Sequence, residues 1–514
     1  MERISKGVQG IFALIFGFTI LSVIVRGYIK YPALGITLVI VCGFIFMGTV
    51  VWLYGFMREK TLGMTRKEIN RIFFCLAGAV LIIQLISAFT LKFTPISDLG
   101  YVDRAARDFC QTWDKSDLYG HLPERHNNYF ARYTNNQALL VILSLVYSAC
   151  EKISGNMPLI VPVLINTAGL HISYILMYFI AGRLFKDKFT PLFCAAAGAG
   201  FSVFYTYTPY FYTDSMSMPF AMGSIYLFLC GIENPKMKTK IPQLIFSGFL
   251  LIAGFKIKGN VIILLPAFLL YLAVTCTKMN RKAYLKTLCI LIAGIIASSA
   301  LCTGFIKSFD IADKSELEEI QFPPEHWVMM GLHDRGGFYS EDFWFTVNSG
   351  NYEQKKAADI QEIRKRVADY GVTGMIKHIA KKVSYTWGDG TYFIGYYLRH
   401  CEETNLFKSF VGKSDVFKFL CSVYQCMLLF MILFSFISGA MAEKQGKEIF
   451  LKIVICGVYF FFLIWETRSR YLVNFSPVFI ITAAYSVKTI AAAVKRHFSV
   501  NRTINIESKL KNAV

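Results

Sequence analysis

Long apolar runs recur along the chain at 10–27, 33–55, 72–91, 158–182, 189–206, 216–232, 243–257, 260–276, 287–305, 416–440, 449–466 and 472–491. Runs of this length suit helices that cross the ~30 Å hydrocarbon layer. Polar and apolar residues do not alternate within them, so a transmembrane barrel is excluded. The pattern predicts an all-α polytopic membrane protein with about 12 transmembrane helices. One run does not fit. ALLVILSLVYSAC at 138–150 has only 13 residues, and counting it as a span would reverse the orientation of every later connection. It is read as a helix embedded in, or lying on, the outer membrane surface.

Two long polar connections complete the pattern. In the first, 92–137, Leu99, Val102, Ala106, Phe109 and Cys110 recur at helical spacing, which predicts an amphipathic helix on the membrane surface. The second, 306–415, predicts a helix over 354–382, with Ile360, Ile363 and Val367, then Met375, Ile376 and Ile379 after Gly371, along one side. Four regions follow: 1–71, two spans and a basic loop; 72–305, a core with the first outer loop; 306–415, the large outer loop; and 416–514, the last spans and a basic tail.

Charge orients this frame. The formal net charge is +20, but the basic residues are clustered in alternate connections. These are Arg58/Lys60/Arg66/Lys67/Arg71, Arg183/Lys186/Lys188, Lys236/Lys238/Lys240, Lys278/Arg281/Lys282/Lys286, Lys444/Lys447/Lys452 and a tail with Lys495, Arg496, Lys509 and Lys511. By the positive-inside rule both termini are cytoplasmic and the two long connections lie outside. The excess is a topology signal and implies no nucleic-acid partner. The N-terminal run lacks a small-residue cleavage pattern and is read as a retained span. The 13 cysteines form no CxxC pair, so neither a zinc site nor a disulfide framework is expected.

Candidate chemistry collects at the outer border. Asp98, Asp103, Arg104, Arg107 and Asp108 fall within eleven positions just after the third span. Asp98 suits two roles, an N-cap of the amphipathic helix or a carboxylate base. Lys256 and Lys258 end one span in GFKIKGN, and Arg468 and Arg470 end another in WETRSRYLVNFSP. The positive-inside bias works against cations there, so either they bind an anionic group such as phosphate or they snorkel to headgroups. Glu466 is a candidate ion-pair partner that orients an arginine. Asp214, in YTPYFYTDSMSMPF, is a functional carboxylate or a helix cap. His326 and His333 in the large loop are candidate contacts to a sugar or a lipid phosphate; their His-x6-His spacing is a poor metal signal. Asp389, between glycines, reads as a turn residue. No GxxxxGK[ST], strand-borne GxGxxG, HExxH or GxSxG is present.

In order, these segments resemble the GT-C superfamily of integral-membrane glycosyltransferases, in its bacterial protein O-mannosyltransferase and aminoarabinose-transferase-like branch. The matching segments are the Asp98 loop, YTNNQALL, FYTDSMSMPF, GFLLIAGFKIKGNVIILLPAF and ETRSRYLVNFSP, over about 72–485. The resemblance implies inverting transfer of a sugar from a polyprenyl-phosphate donor to a glycan, lipid or protein acceptor. It implies Asp98 as base and Lys256, Lys258, Arg468 and Arg470 at the lipid phosphate. Asp103, Asp214, His326, His333, Glu466 and Tyr471 are supporting candidates. Two departures stand out: many relatives carry Asp-Glu where this chain has Asp98-Leu99, and two extra spans precede the motif. No cofactor is expected; divalent metal use stays open. Alternatives are a polyprenyl-linked polysaccharide polymerase or ligase, which would lean on His326, His333 and Arg335, and a transporter or flippase. Against the latter, the spans are nearly charge-free at their centres.

Overall fold

The structure, a computed structural model, describes residues 2–27, 33–118, 128–275, 281–400 and 404–511. Among them there are helices and no strand. The chain runs through α1 (Glu2–Ser22), α2 (Ala33–Lys60), α3 (Arg66–Thr90), α4 (Ser97–Thr112), α5 (Gln137–Ser154), α6 (Ile160–Leu184), α7 (Phe189–Ala199) and α8 (Met218–Glu233). It continues with α9 (Met237–Ile257), α10 (Leu264–Thr275), α11 (Arg281–Lys307), α12 (Pro324–Gly331), α13 (Tyr352–Trp387), α14 (Asp415–Met441), α15 (Ile449–Ile464) and α16 (Ser476–Lys511). Among the described residues ten helical segments are long and apolar enough to cross a membrane, joined by three shorter apolar ones, Phe189–Ala199, Gly259–Thr275 and Ile449–Ile464. The all-α polytopic reading holds, and each expected span has a helix. The expected span 189–206 is cut short at Ala199. There Gly198 lies so close to α6 that a Cβ would sit 2.3 Å from Met177 Cε.

The short apolar run becomes α5, extended by polar residues at both ends to 18 residues. By length and composition alone the segment Thr134–Ser154 ranks among the ten, but its connections keep it beside α4. Tyr212 donates to Asn136 just before α5 (3.2 Å), and Asn166 in α6 donates to the carbonyls of Tyr207 and Thr208 (2.8 and 2.9 Å). The starts of α5 and α6 therefore meet one stretch of chain. Had α5 descended its full ~27 Å along the bundle, the six residues from Ser154 to Ile160, spanning at most ~21 Å, would be too few to return. The Tyr147 hydroxyl donates to Asp103, and Arg107 bonds Asp103 (3.0 Å), Tyr147 (2.9 Å) and the Met157 carbonyl (2.6 Å), locking α5 alongside α4.

The basic connections meet at one end of the bundle. Lys188 donates to the carbonyls of Leu62 (3.1 Å) and Met64, Arg183 and Lys447 both pair with Glu233 (3.5 and 2.5 Å), Lys488 pairs with Asp187 (2.6 Å), and Lys495 pairs with Glu59 (3.0 Å). Lys278, and the side chains of Lys509 and Lys511, lie outside the described residues, as does 119–127 of the first long connection.

The two N-terminal spans pack on later helices of the bundle. α1 lies on α14 and α13, and α2 lies on α14 and α16. Thr19 donates to Tyr459 (3.0 Å), Ser384 donates to the Ser22 carbonyl (2.6 Å), and Tyr54 bonds Thr190 (3.0 Å). In the large loop α13 runs longer than 354–382 and bends at Gly371, whose φ of +53° a side chain would resist. Its last turn enters the bundle, where Trp387 is buried against Phe16 and Phe479. Lys382, buried on the same helix, donates to the Gly331 carbonyl (2.6 Å), with the Ile464 carbonyl at 3.5 Å. Its ammonium so ties the carbonyl ends of α12 and α15 together, and burial lowers its pKa to about 7.

Candidate functional site

At the end of the bundle opposite the basic connections, five segments converge. α3 ends at Thr90, and the polar linker places Asp98 in the first turn of α4. The N-cap is Ile96, without a side-chain cap bond, and Ser97 has φ +54°. Asp98 is thus not the cap residue. Its carboxylate accepts a bond from Tyr129 (3.2 Å) and stands 3.9 Å from Arg470, with its side chain 45% exposed. Asn136 donates to the Tyr129 hydroxyl at 2.7 Å. Burial and the nearby Asp98 raise the Tyr129 pKa far above the usual phenol value, so it stays a hydrogen-bond donor that fixes the Asp98 carboxylate.

Asp214 is the opposite kind of carboxylate. Its side chain is 0% exposed, and it pairs with Lys258 (2.7 Å) and Arg470 (3.1 Å). No side-chain cap bond is made at the start of its short helix, Thr213–Met216. Arg470 also donates to Tyr210 (2.8 Å) and lies over the rings of Tyr212 and Tyr471 (5.4 and 5.0 Å). Lys258 sits 4.2 Å above the Tyr471 ring. The segment before α16 is fixed from below: Asn260 donates to the Tyr471 carbonyl (2.9 Å), and Asn474 donates to Asn260 (2.8 Å) and Ser217 (3.2 Å).

The candidates separate on inspection. Lys258 and Arg470 share one carboxylate. Lys256 is on the other side of the chain, near Cys302 and Lys307 of α11. α9 ends at Ile257 and Lys258 is extended (φ −144°, ψ 115°), so these near neighbours diverge. Arg468 rests over Phe393 at 4.7 Å, with its Nε buried and without a hydrogen-bond partner among the described residues. Glu466 accepts from the Tyr471 hydroxyl (3.0 Å), and its own N–H donates to the Trp327 carbonyl (2.9 Å). The expected Glu466–arginine pair is replaced for Arg470 by Asp214. Burial raises the Glu466 pKa, opposed by Arg468 and Arg470. Lys258 and Arg470 thus share the fully buried Asp214, with the buried Glu466 nearby, and Arg470 reaches toward the exposed Asp98.

Asp103 lies outside this cluster, joined to Tyr147 and Arg107. The two histidines belong to the large loop. His326 is fully buried against Thr346 (2.7 Å), which donates to Asp359 (2.8 Å), and burial lowers the His326 pKa to about 3. His333 meets Asp342 (3.0 Å) and stacks on Tyr339 at 4.0 Å, while Arg366 takes the rest of Asp342 (2.6 and 3.1 Å). Asp389 makes the expected turn, accepting from Thr391 (2.9 Å) and Phe393 (2.8 Å), and also from Ser469 (2.9 Å). No group of three or more His, Cys, Asp or Glu among the described residues is placed to hold a metal ion.

Sequence reasoning missed Tyr129, Asn136, Tyr210, Asn260 and Asn474. Asn260 and Asn474 had a readable signal, a side-chain amide at the mouth of an apolar run, where an unpartnered amide is costly. The tyrosines had none, because tyrosine is common throughout this chain.

A family model for conserved hypothetical integral membrane proteins matches residues 1–491. None of the curated proteins is similar in sequence. Among solved structures the chain is similar to the oligosaccharyltransferase of Archaeoglobus fulgidus. The form in complex with an inhibitory peptide and a dolichol-phosphate gives a TM-score of 0.42 at 11% identity, over 83% of this chain and 52% of that one. The apo form gives 0.45 at 13%, over 85% and 52%. The form tethered to an acceptor peptide with the NVT sequon gives 0.42 at 14%, over 83% and 51%. The chain spans about half the length of that enzyme.

Proposed function

The chain belongs to the family of conserved hypothetical integral membrane proteins, and we propose that it is a glycosyltransferase working at the outer membrane face. It moves a sugar from a polyprenyl-phosphate-linked donor to a cell-envelope glycan, lipid or protein, with inversion. The observation that carries this reading is the pairing of an exposed carboxylate with a buried cation: Asp98 is 45% exposed and stands 3.9 Å from Arg470. The basic connections at the other end support this choice of face.

In this reading Asp98 takes the proton of the acceptor hydroxyl as its oxygen bonds to the sugar's anomeric carbon. The bond from that carbon to the phosphate oxygen breaks on the opposite face, and the lipid phosphate leaves with its electron pair. Arg470, Lys258 and Arg468 oppose the charge that grows on that phosphate. Arg470 and Lys258 are already fixed by Asp214 and aromatic rings, so they lower the barrier with little reorganisation.

Asp98→Asn tests the assignment. It preserves size and removes the proton acceptor, so the variant should insert normally and lose transfer by at least ~10²-fold. Cells carrying it should accumulate one polyprenyl-phosphate sugar, which would name the donor. Near-full transfer by this variant rules out Asp98 as the base.

A further inference from the structure

A cavity of about 480 Å³ lies at the basic end, between α3, α6, the start of α7 and α8. Arg66, Arg183 and Lys188 line it, with Asp187 as its one carboxylate. Asp187 is already paired with Lys488 at 2.6 Å. Lys188 bonds only backbone carbonyls, which leave its charge in place. Arg66 makes no ion pair or hydrogen bond among the described residues. Arg183 shares Glu233 with Lys447, so the uncompensated positive charge of the cavity comes from Arg66 and Lys188.

Its other wall is apolar. Phe179 and Tyr226 lie with ring centroids 6.1 Å apart, and Tyr178 stacks on Phe73 at 3.8 Å while its hydroxyl donates to Asn70 at 2.7 Å. Farther along α3, Ile72 and Phe74 are exposed apolar side chains, as suits a helix facing acyl chains. Cations and aromatic rings lining one cavity match an amphiphile, a phosphate joined to an acylated glycerol. A basic pocket between transmembrane helices at the positive end is where anionic lipid headgroups dock, and arginine suits phosphate by its fork.

We propose that this cavity binds the headgroup of an anionic phospholipid, its phosphate held by Arg66, Arg183 and Lys188 and its glycerol region against Phe179 and Tyr226. The site is separate from Asp98 and does not depend on the transfer reaction.

Native mass spectrometry of the full chain in detergent, titrated with phosphatidylglycerol, phosphatidylcholine or inorganic phosphate, tests it. The wild type should hold phosphatidylglycerol at least ~10-fold more tightly than phosphatidylcholine, and Arg66→Gln should remove most of that preference. Arg66 has no partner to strand, so this variant keeps the fold. A second variant fills the space and leaves every cation in place. A Cβ at Gly182 meets only Pro191, at 4.0 Å, so Gly182→Leu should fold and weaken both lipids. Equal binding of the two lipids by the wild type overturns the proposal, as does Arg66→Gln or Gly182→Leu binding that matches the wild type. Inorganic phosphate binding as tightly as phosphatidylglycerol overturns the lipid assignment.

Discussion

The two ends of the bundle use the same residue types in opposite ways. At the basic end, the side chains of Lys495 and Glu59 are 72% and 63% exposed, and those of Arg183 and Lys447 are 42% and 48% exposed. Such pairs in water contribute little to stability, about 0–1 kcal/mol. At the site end, Arg470 and Asp214 are nearly sealed, and each bonds more than one partner. Desolvation makes those charges costly unless they stay matched. In the proposed reading, the number of cations sets orientation at one end, while position and burial set chemistry at the other. An exposed pair such as Lys495–Glu59 is exchangeable; the sealed pair of Arg470 and Asp214 is not.

The largest effect tests whether the ends face different compartments. In a cysteine-free background, Ser340→Cys should react fully with an impermeant thiol reagent from outside, and Leu62→Cys should not react. Both positions are exposed. Labelling of position 340 from inside alone would place Asp98 in the cytoplasm and break the proposed reaction.

Next comes the matched charge itself. Asp214→Asn leaves Lys258 and Arg470 without their shared carboxylate, which should cost about 3–5 kcal/mol of stability. Chemical unfolding of the purified protein measures it, and Asp214→Asn/Lys258→Met should recover part of the loss. By contrast, Glu59→Gln at the basic end should change stability by less than about 1 kcal/mol. Similar effects at both ends would erase the contrast.

Burial has the reverse consequence in the large loop, where it keeps a group neutral. His326 has a folded pKa of about 3 against a usual 6.5. Below 6.5 the unfolded chain binds the proton that the folded chain refuses, so stability falls as pH drops from 6.5 toward 3. At pH 5 the loss should be about 2 kcal/mol. Hydrogen exchange in 323–359 should speed up on acidification, and His326→Gln should flatten that dependence. An unchanged pH response in His326→Gln would show that another group controls the loop.

Much of this was legible in the sequence, for identifiable reasons. A transmembrane helix shows itself locally, because each residue must be apolar whatever it packs against. The basic segments were legible because the positive-inside bias is a composition signal. What stayed hidden was set by helix ends and by contacts between distant segments. Asp98 looked like a cap because helix starts shift by a residue or two; the cap position fell to Ile96. Lys256 and Lys258 looked equivalent until the end of α9 at Ile257 turned them apart. Asp214 was expected either to cap or to act. That it would hold Lys258 and Arg470, 44 and 256 residues away (258 − 214 and 470 − 214), is written in no spacing. That His326 is buried against Thr346 was likewise written in no spacing.

The smallest expected effect separates the two arginines of the late motif. Arg470 bonds Tyr210 and Asp214 from one nitrogen and stands near Asp98 with another. Lysine at 470 keeps the charge but cannot reproduce that fork, so Arg470→Lys should weaken donor use by about 10-fold, the worth of one charge-assisted hydrogen bond. Arg468 meets Phe393 through its flat face and has no ion pair among the described residues. If Arg468 contacts the phosphate bidentately, Arg468→Lys should lose a similar amount; if it contributes charge alone, it should lose less than about 3-fold. Donor titration of both variants against the wild type decides between these. Unchanged donor use in both would make the site-end arginines headgroup anchors, so that their burial and matching served the membrane and not the reaction.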